Sequence, residues 1–350
     1  MVRIITDSAA DFEHSESEKF GISTVPLAVY IDGKEYKDDF LHSKERFYRL
    51  AKLSKTLPKT SQPSPYVYEC ALKKARDNGE SVVVITVSSA LSGSYQSAVL
   101  ARDLLGYEGC YVIDSKSASA GQKLLVNEAL RLRDNGFTAK EIAEHLLRFR
   151  NRIMVYACID DMKYLYGGGR HTNAAALLGS TGRIKPVISI TGSGSVAFEA
   201  KTIGMRHGMN HMLMSLKKLG IDQNYPLYIM HTNAKNQALY LSKLIISKGV
   251  PFVEGSIVSV GSVVGSHIGE GSTGIAFVKK EQRKSGHDEL CASIILSGFF
   301  AFFTVGNFFQ FSDKFFDFCI FAVKNTLKCK RRSRNHKNYV SQHILRLAFK

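Results

Sequence analysis

The sequence predicts an α/β protein of two lobes, with a mostly parallel sheet and flanking helices in the first and a second α/β lobe after it. Three observations carry this. Strand, polar turn and helix follow one another at least three times in the first 135 residues, a second α/β series begins after residue 151, and no repeat of solenoid length is present. With 350 residues, 45% hydrophobic and 22% charged, the chain can build such a core without disulfides or a structural metal.

The first strand is Val2 to Thr6, which ends in Asp7-Ser8-Ala9-Ala10-Asp11. Ser81 to Val87 is the second and runs into Ser88-Ser89; Cys110 to Ile113 is the third and runs into Asp114-Ser115-Lys116-Ser117. Helical patterns cover 64–78, 97–105 and 121–135, and a further helix spans 138–151, where Thr138 and Glu141 stand at capping-box spacing. Ligands of such sheets bind at the carboxyl ends of the strands. In the second half, 154–159, 184–191 and 196–201 read as strands and 204–219 as an amphipathic helix. Residues 225–230 and 252–260 are expected strands around a helix at 236–248, and 274–279 closes the body. The boundary is expected between 150 and 170, giving lobes of 1–160 and 161–280.

The tail differs in composition. Residues 281–350 hold 12 Lys and Arg against 5 Asp and Glu, and 12 of the 21 phenylalanines, so much of the net charge of +16 is concentrated there. That uneven placement argues against one nucleic-acid-binding face. Leu290 to Phe311 is a run of 22 residues without a charge, long enough to cross a bilayer core of ~30 Å, but it contains Ser293, Asn307 and Gln310. A membrane anchor, an interfacial segment and a non-native extension all fit it; the lack of strand or helix periodicity favours the last. Six cysteines with no C-x-x-C pair, and no signal-like amino terminus, make a reducing cytoplasm the expected compartment.

Five polar clusters carry the candidate chemistry. Asp7 and Asp11 flank a tight turn and suit either cation or acid–base work or a purely structural turn. Thr60-Ser61-Gln62-Pro63-Ser64-Pro65 offers two hydroxyls on a stiffened turn, with Ser64 as a helix cap. Ser88 to Ser97, around Gly93, sets hydroxyls and backbone N–H groups at the start of a helix and forms an oxyanion or carboxylate cradle. It has neither a phosphate-loop lysine nor a G-x-S-x-G elbow, which disfavours a nucleotide and an ordinary serine hydrolase. Gly167-Gly168-Gly169-Arg170 aims a guanidinium at a phosphate or an acidic partner, or leaves it solvated. His267 stands in a loop expected from the glycines of 261–274, with no second ligand at zinc spacing.

Taken together, Thr6-Asp7-Ser8-Ala9-Ala10-Asp11, Thr60-Ser61-Gln62-Pro63-Ser64, Leu91-Ser92-Gly93-Ser94-Tyr95-Gln96-Ser97-Ala98, Asp114-Ser115, Gly168-Gly169-Arg170, Ile184-Lys185-Pro186 and Gly265-Ser266-His267-Ile268-Gly269 resemble the DegV family from about Val2 to Lys279. The resemblance implies a two-lobed protein that holds a long-chain fatty acid in a buried tunnel. It would act as the non-catalytic, lipid-carrying subunit of a bacterial fatty acid kinase and present the carboxylate to a separate ATP-binding subunit. Thr60, Ser92 and His267 match the residues at the carboxylate; Ser61, Gly93 and Ser94 complete the expected ligand-binding set. Arg170 matches an arginine tied to phosphorylation and partner docking. No catalytic residue, cofactor, metal or nucleic acid is expected in this chain, and membrane contact would be transient or through 290–311.

The chain departs from the family's glycine-rich pattern at Glu270, Ser272 and Thr273, where Pro, Ala and Leu or Val are usual. Depending on its direction, Glu270 either raises the proton affinity of His267 or repels the ligand. The competing expectation is a self-contained acyl transferase or hydrolase with Ser92 as nucleophile and His267 as base, which needs Asp7 or Glu270 to orient the imidazole.

Overall fold

A computed structural model describes residues 1–38, 43–170, 183–250 and 257–281. The expected 252–260 strand is described only from 257, and the tail from 282 onward, including 290–311, lies outside the described residues.

From the amino end, β1 (Val2–Asp7) leads through a short 3-10 turn to α1 (His14–Phe20), β2 (Ile22–Val25), β3 (Ala28–Ile31) and β4 (Lys34–Lys37). Next come α2 (Lys44–Leu53), β5 (Lys59–Ser61), α3 (Pro65–Asp77), β6 (Ser81–Thr86), α4 (Ser94–Leu104) and β7 (Cys110–Asp114). Two helices, α5 (Ala120–Asp134) and α6 (Ala139–Phe149), precede β8 (Ile153–Cys158) and α7 (Met162–Gly167). The body ends with β9 (Ile184–Ile190), β10 (Val196–Ile203), α8 (Met205–Leu219), β11 (Tyr228–His231), α9 (Lys235–Ser247), β12 (Ile257–Ser259), α10 (Ser262–Ile268) and β13 (Thr273–Val278).

The strands form a four-stranded sheet β2-β1-β6-β7, a six-stranded sheet β10-β9-β8-β13-β11-β12 and a small sheet β4-β3-β5. The first is wholly parallel, as the repeated strand–turn–helix pattern predicts. Its strands are covered on both faces, which is why β6 is an unbroken apolar run without alternation. The chain leaves β1 for β2 on one side and reaches β6 on the other, so a crevice opens between the carboxyl ends of β1 and β6. The six-stranded sheet is mixed, with only β11 and β12 parallel.

Helix α5 lies between the two large sheets and buries 11 of its 15 residues, including Leu124, Leu125 and Ala129. On its two sides it meets Ile4, Val83 and Ile85 of one sheet and Met230, Ala276 and Val278 of the other. The far face of the parallel sheet packs on α3 and α4 through Tyr68, Leu72 and Ala98. The far face of the mixed sheet packs on α8 and α9 through Tyr156, Phe277, Met212 and Leu241. Residues 1–281 thus form one compact unit.

The strands and helices expected from periodicity are present with shifts of a few residues; α4 begins at Ser94, not Ser97, and β11 at Tyr228, not Tyr225. Two expectations are corrected. The Gly261–Gly274 segment is not a loop: it holds α10, a turn through Gly269 and Gly271 at positive φ, and the start of β13. Gly265 lets α10 approach α2, since a Cβ there would stand 2.6 Å from the Tyr48 hydroxyl and 3.0 Å from the Phe47 ring, and that packing overrides the poor helix propensity of glycine. Thr60 and Ser61 do not project from a turn but lie in β5, paired with Val29 and Ala28 of β3. Ser64 occupies the N-cap of α3 without a capping bond, and Pro65 at the first helical position supplies the preset φ instead.

The capping box of α6 is formed as its spacing predicts: Glu141 N–H donates to Thr138 Oγ1 at 3.3 Å, and Thr138 N–H donates to Glu141 Oε2 at 2.9 Å. Thr138→Ala is expected to lower the unfolding free energy by about 1 kcal/mol in urea titration without changing the native spectrum.

Candidate functional site

The crevice at the carboxyl ends of β1 and β6 continues into a largely apolar chamber of about 400 Å³. That size lies within the roughly 300–1,000 Å³ usual for small-molecule sites. Alternation along the mixed sheet builds its far wall: Val155, Ala157, Ile188 and Met230 face the chamber, while Tyr156, Val187 and Ile229 face α8 and α9. Leu27, Val87 and Leu91 close the side of the parallel sheet, and Val263, Val264 and Ile268 of α10 form another wall.

Polar groups gather in one part of this wall, linked by a chain of contacts. Thr60 Oγ1 of β5 and His267 Nε2 of α10 are hydrogen-bonded at 2.8 Å. Gly168 is backed onto the other edge of that ring; a Cβ there would lie 2.6 Å from Nδ1, so only glycine fits. Arg170 donates from Nε to the Leu91 carbonyl at 3.3 Å and from a terminal nitrogen to the Gly168 carbonyl at 2.8 Å. Ser92 follows Leu91 in the turn that opens α4, and its Oγ lies 3.0 Å from Ser94 Oγ. Gln62 lies flat on Gly93, where a Cβ would come within 2.1 Å of its Oε1, and donates to Ser97 Oγ at 3.3 Å.

Thr60, Ser61, Ser92, Gly93, Arg170 and His267 therefore line one chamber. Ser94 does not; its side chain is buried behind Ser92, where its hydroxyl orients that of Ser92. Sequence reasoning passed over Gln62, although it stands between Ser61 and Pro63 and its long amide reaches the glycine of the other turn.

Burial, and then the positive charge of Arg170, drive the His267 pKa down to about 4, so the ring is neutral at pH 7. Nδ1 is buried with no hydrogen-bond partner. The Gly168 backbone beside Nδ1 raises the ring's proton affinity against burial and Arg170, and the tautomer sets which partner donates in the Thr60 pair. With the hydrogen on Nε2 the ring donates to Thr60 Oγ1 and leaves the threonine hydrogen for a ligand oxygen; with it on Nδ1 the threonine donates to the ring.

Glu270 does not reach this histidine. Its Oε1 accepts from Asn233 Nδ2 at 2.6 Å, on the wall of a different cavity. Asp7 accepts Val87 N–H at 2.8 Å and the Gln122 amide at 2.9 Å, which hold the turn after β1 against the turn after β6 and against α5. Burial pushes its pKa up to about 7 against those bonds. Asp11 ties α10 to the first turn by accepting Gly261 N–H at 2.8 Å and the Ser119 hydroxyl at 2.5 Å. Both aspartates therefore have structural bonds, and neither carboxylate that a Ser92–His267 nucleophile would require orients the imidazole. Among the described residues no group of three or more His, Cys, Asp or Glu could hold a metal ion, and no helix is long and apolar enough to cross a membrane.

The family model described as "Uncharacterised protein, DegV family" matches residues 1–280. The chain belongs to the DegV family. A DegV domain-containing protein of Caldanaerobacter subterraneus is 30% identical over 285 residues, covering 80% of this chain and 99% of that protein. The DegV family structure from Thermus thermophilus, described for its fatty acid binding, has a TM-score of 0.74 at 25% identity and covers 80% of this chain and 99% of its own. A stearic acid-binding protein of Eubacterium ventriosum has a TM-score of 0.72 at 25% identity, covering 80% of this chain and 99% of that one. The DegV body accounts for the part of the chain before the Phe-rich tail.

The depressed His267 pKa fixes a pH dependence. The unfolded ring binds its proton near pH 6.5 and the folded ring near 4, so the stability of the neutral buried state is complete above pH 6.5 and lost as pH falls towards 4. The shift corresponds to about 3 kcal/mol. His267→Gln, which can still bond Thr60, should remove that part of the acid sensitivity; urea titrations of both proteins at pH 7.5 and 4 read it as a smaller loss in the variant.

Proposed function

We propose that this protein binds one long-chain fatty acid in the chamber, with the carboxylate held by Thr60, Ser92 and His267, and presents it to a separate ATP-dependent kinase subunit that forms the acyl phosphate. The observation that carries the reading is the Thr60–His267 hydrogen bond on the wall of an otherwise largely apolar chamber that Ser92 also lines. The fatty-acid-binding relatives of the same fold support it.

The chemistry is that of solvent replacement. A carboxylate leaving water loses several strong hydrogen bonds, and the Thr60 and Ser92 hydroxyls, with the His267 ring bonded to Thr60 behind them, replace part of these at fixed positions. An acyl chain of ~15 methylenes gains roughly 12 kcal/mol gross from burial, before the costs of ordering. The chain then supplies affinity and the polar cluster sets its depth. Hydroxyl donors leave the carboxylate unprotonated, with an oxygen able to attack a phosphoryl group delivered from outside. Arg170, exposed and bonded across the turn before Ser92, is suited to the added phosphoryl charge or to an acidic surface of the kinase subunit.

Native mass spectrometry of the purified protein should detect one non-covalent long-chain fatty acid. A covalent acyl adduct on Ser92 would instead support the acyl-transfer reading. Thr60→Val and Ser92→Ala should each weaken fatty acid affinity at least tenfold, as loss of one charge-assisted hydrogen bond predicts. Arg170→Ala should retain the lipid but lose acyl phosphate formation when the kinase subunit and ATP are added; unchanged phosphorylation would remove Arg170 from that role.

A further inference from the structure

The Ser92 hydroxyl stands at the front of a line of buried polar groups. Its Oγ receives the Ser94 backbone N–H at 3.3 Å and lies 3.0 Å from Ser94 Oγ. Behind Ser94, which is fully buried, lies Tyr68 of α3, fully buried as well. The Tyr68 ring belongs to the cluster that joins α3 and α4 to the parallel sheet, and its hydroxyl feels both Ser94 and the charge of Asp7.

A buried hydroxyl without a good partner calls for an explanation. Tyr68 Oη makes no hydrogen bond of ordinary geometry, so the oxygen costs stability that a phenylalanine of the same shape would spare. The Asp7 oxygens accept from Val87 N–H at 2.8 Å and from the Gln122 amide at 2.9 Å, and Asp7 acts on the phenol through its charge. Ser94 is the side chain placed to accept from the phenol, by an approach longer or more bent than an ordinary hydrogen bond. Burial, and then the Asp7 charge, hold the phenol proton well above its usual range, so at neutral pH Tyr68 is a donor.

That donor gives the line a direction. Ser92 and Ser94 alone form an undirected pair, since either hydroxyl can donate. With the phenol donating to it, Ser94 turns its own hydrogen to Ser92. Both lone pairs of Ser92 Oγ are then taken, by the hydroxyl and the backbone N–H of Ser94, and its hydrogen is left for the chamber that Ser92 lines. Hydroxyls that all donate the same way polarise one another, which strengthens the last donor.

We propose that Tyr68 is a positioning residue for the carboxylate site: through Ser94 it fixes the Ser92 hydroxyl as a donor aimed at the ligand. The assignment rests on the fatty acid reading of the chamber and suits a carboxylate, which only accepts.

The test follows palmitate labelled with ¹³C at its carboxyl carbon, bound to the full-length protein, by NMR, with affinity and thermal unfolding measured on the same samples. Tyr68→Phe, which deletes only the phenol oxygen, should keep the thermal midpoint, weaken palmitate about threefold and move the carboxyl signal in the direction that Ser92→Ala moves it. In the Ser92→Ala background it should change neither affinity nor signal, whereas its effects should add to those of Thr60→Val. Replacing Tyr68 by 3-fluorotyrosine keeps the ring and supplies a stronger donor, so it should move the signal the other way. Unchanged affinity and carboxyl signal in both Tyr68 variants, or a loss that adds in full to that of Ser92→Ala, overturns the assignment and leaves the fatty acid reading standing. Unaltered protein that binds no palmitate overturns both.

Discussion

The hydrogen bond between Thr60 and His267 joins two parts of the chain 207 residues apart and closes the polar part of the chamber. Each partner depends on its own support. Thr60 is held in β5 by pairing with β3, and His267 ends a short helix stopped by Gly269 and backed by Gly168. Asp11 accepting from Gly261, the Tyr48 hydroxyl donating to the Val260 carbonyl, and Lys44 donating to the Ser259 carbonyl hold that helix against α2 and the turn after β1. The pair therefore reports whether the small sheet, α2 and α10 are assembled around the chamber.

A neutral histidine at this position follows from burial and from Arg170. A protonated ring would attract a carboxylate more strongly, but it would have to be desolvated in an apolar wall, with a guanidinium nearby. Keeping it neutral leaves recognition to directed hydrogen bonds. The same economy appears at Asp7 and Asp11, whose pKa values are raised by burial while backbone N–H groups and side chains satisfy their oxygens. These buried carboxyls are joints between elements, and their titration opposes that of His267: protonation relieves their burial, whereas it penalises the ring.

Most large elements were legible because they repeat simple periods. Buried parallel strands appear as apolar β-branched runs, and α6 announces its start through Thr138 and Glu141. Of the elements between residues 14 and 61, β4 carries no such signal, being Lys34-Glu35-Tyr36-Lys37 with little burial, whereas α2 does carry one, with Phe47, Tyr48 and Ala51 on its buried face behind Ser43 at the N-cap. The short helix α10 was hidden by its glycines, whose role is close approach to Phe47 and Tyr48 and not chain reversal. For the candidate site, the motifs marked most residues now found on the chamber wall. They could not show that Ser94 lies behind Ser92, that Gln62 covers Gly93, or that Glu270 turns towards Asn233.

By itself the sequence determined the α/β class, the mostly parallel character of the first sheet, and which turns carry hydroxyls, glycines and the histidine, because these depend on local period and residue chemistry. Only the tertiary structure decided which of those turns meet. Side-chain direction, the depth of burial around His267 and the separation of Glu270 from the chamber arise from contacts between residues far apart in the chain, and no local pattern encodes them.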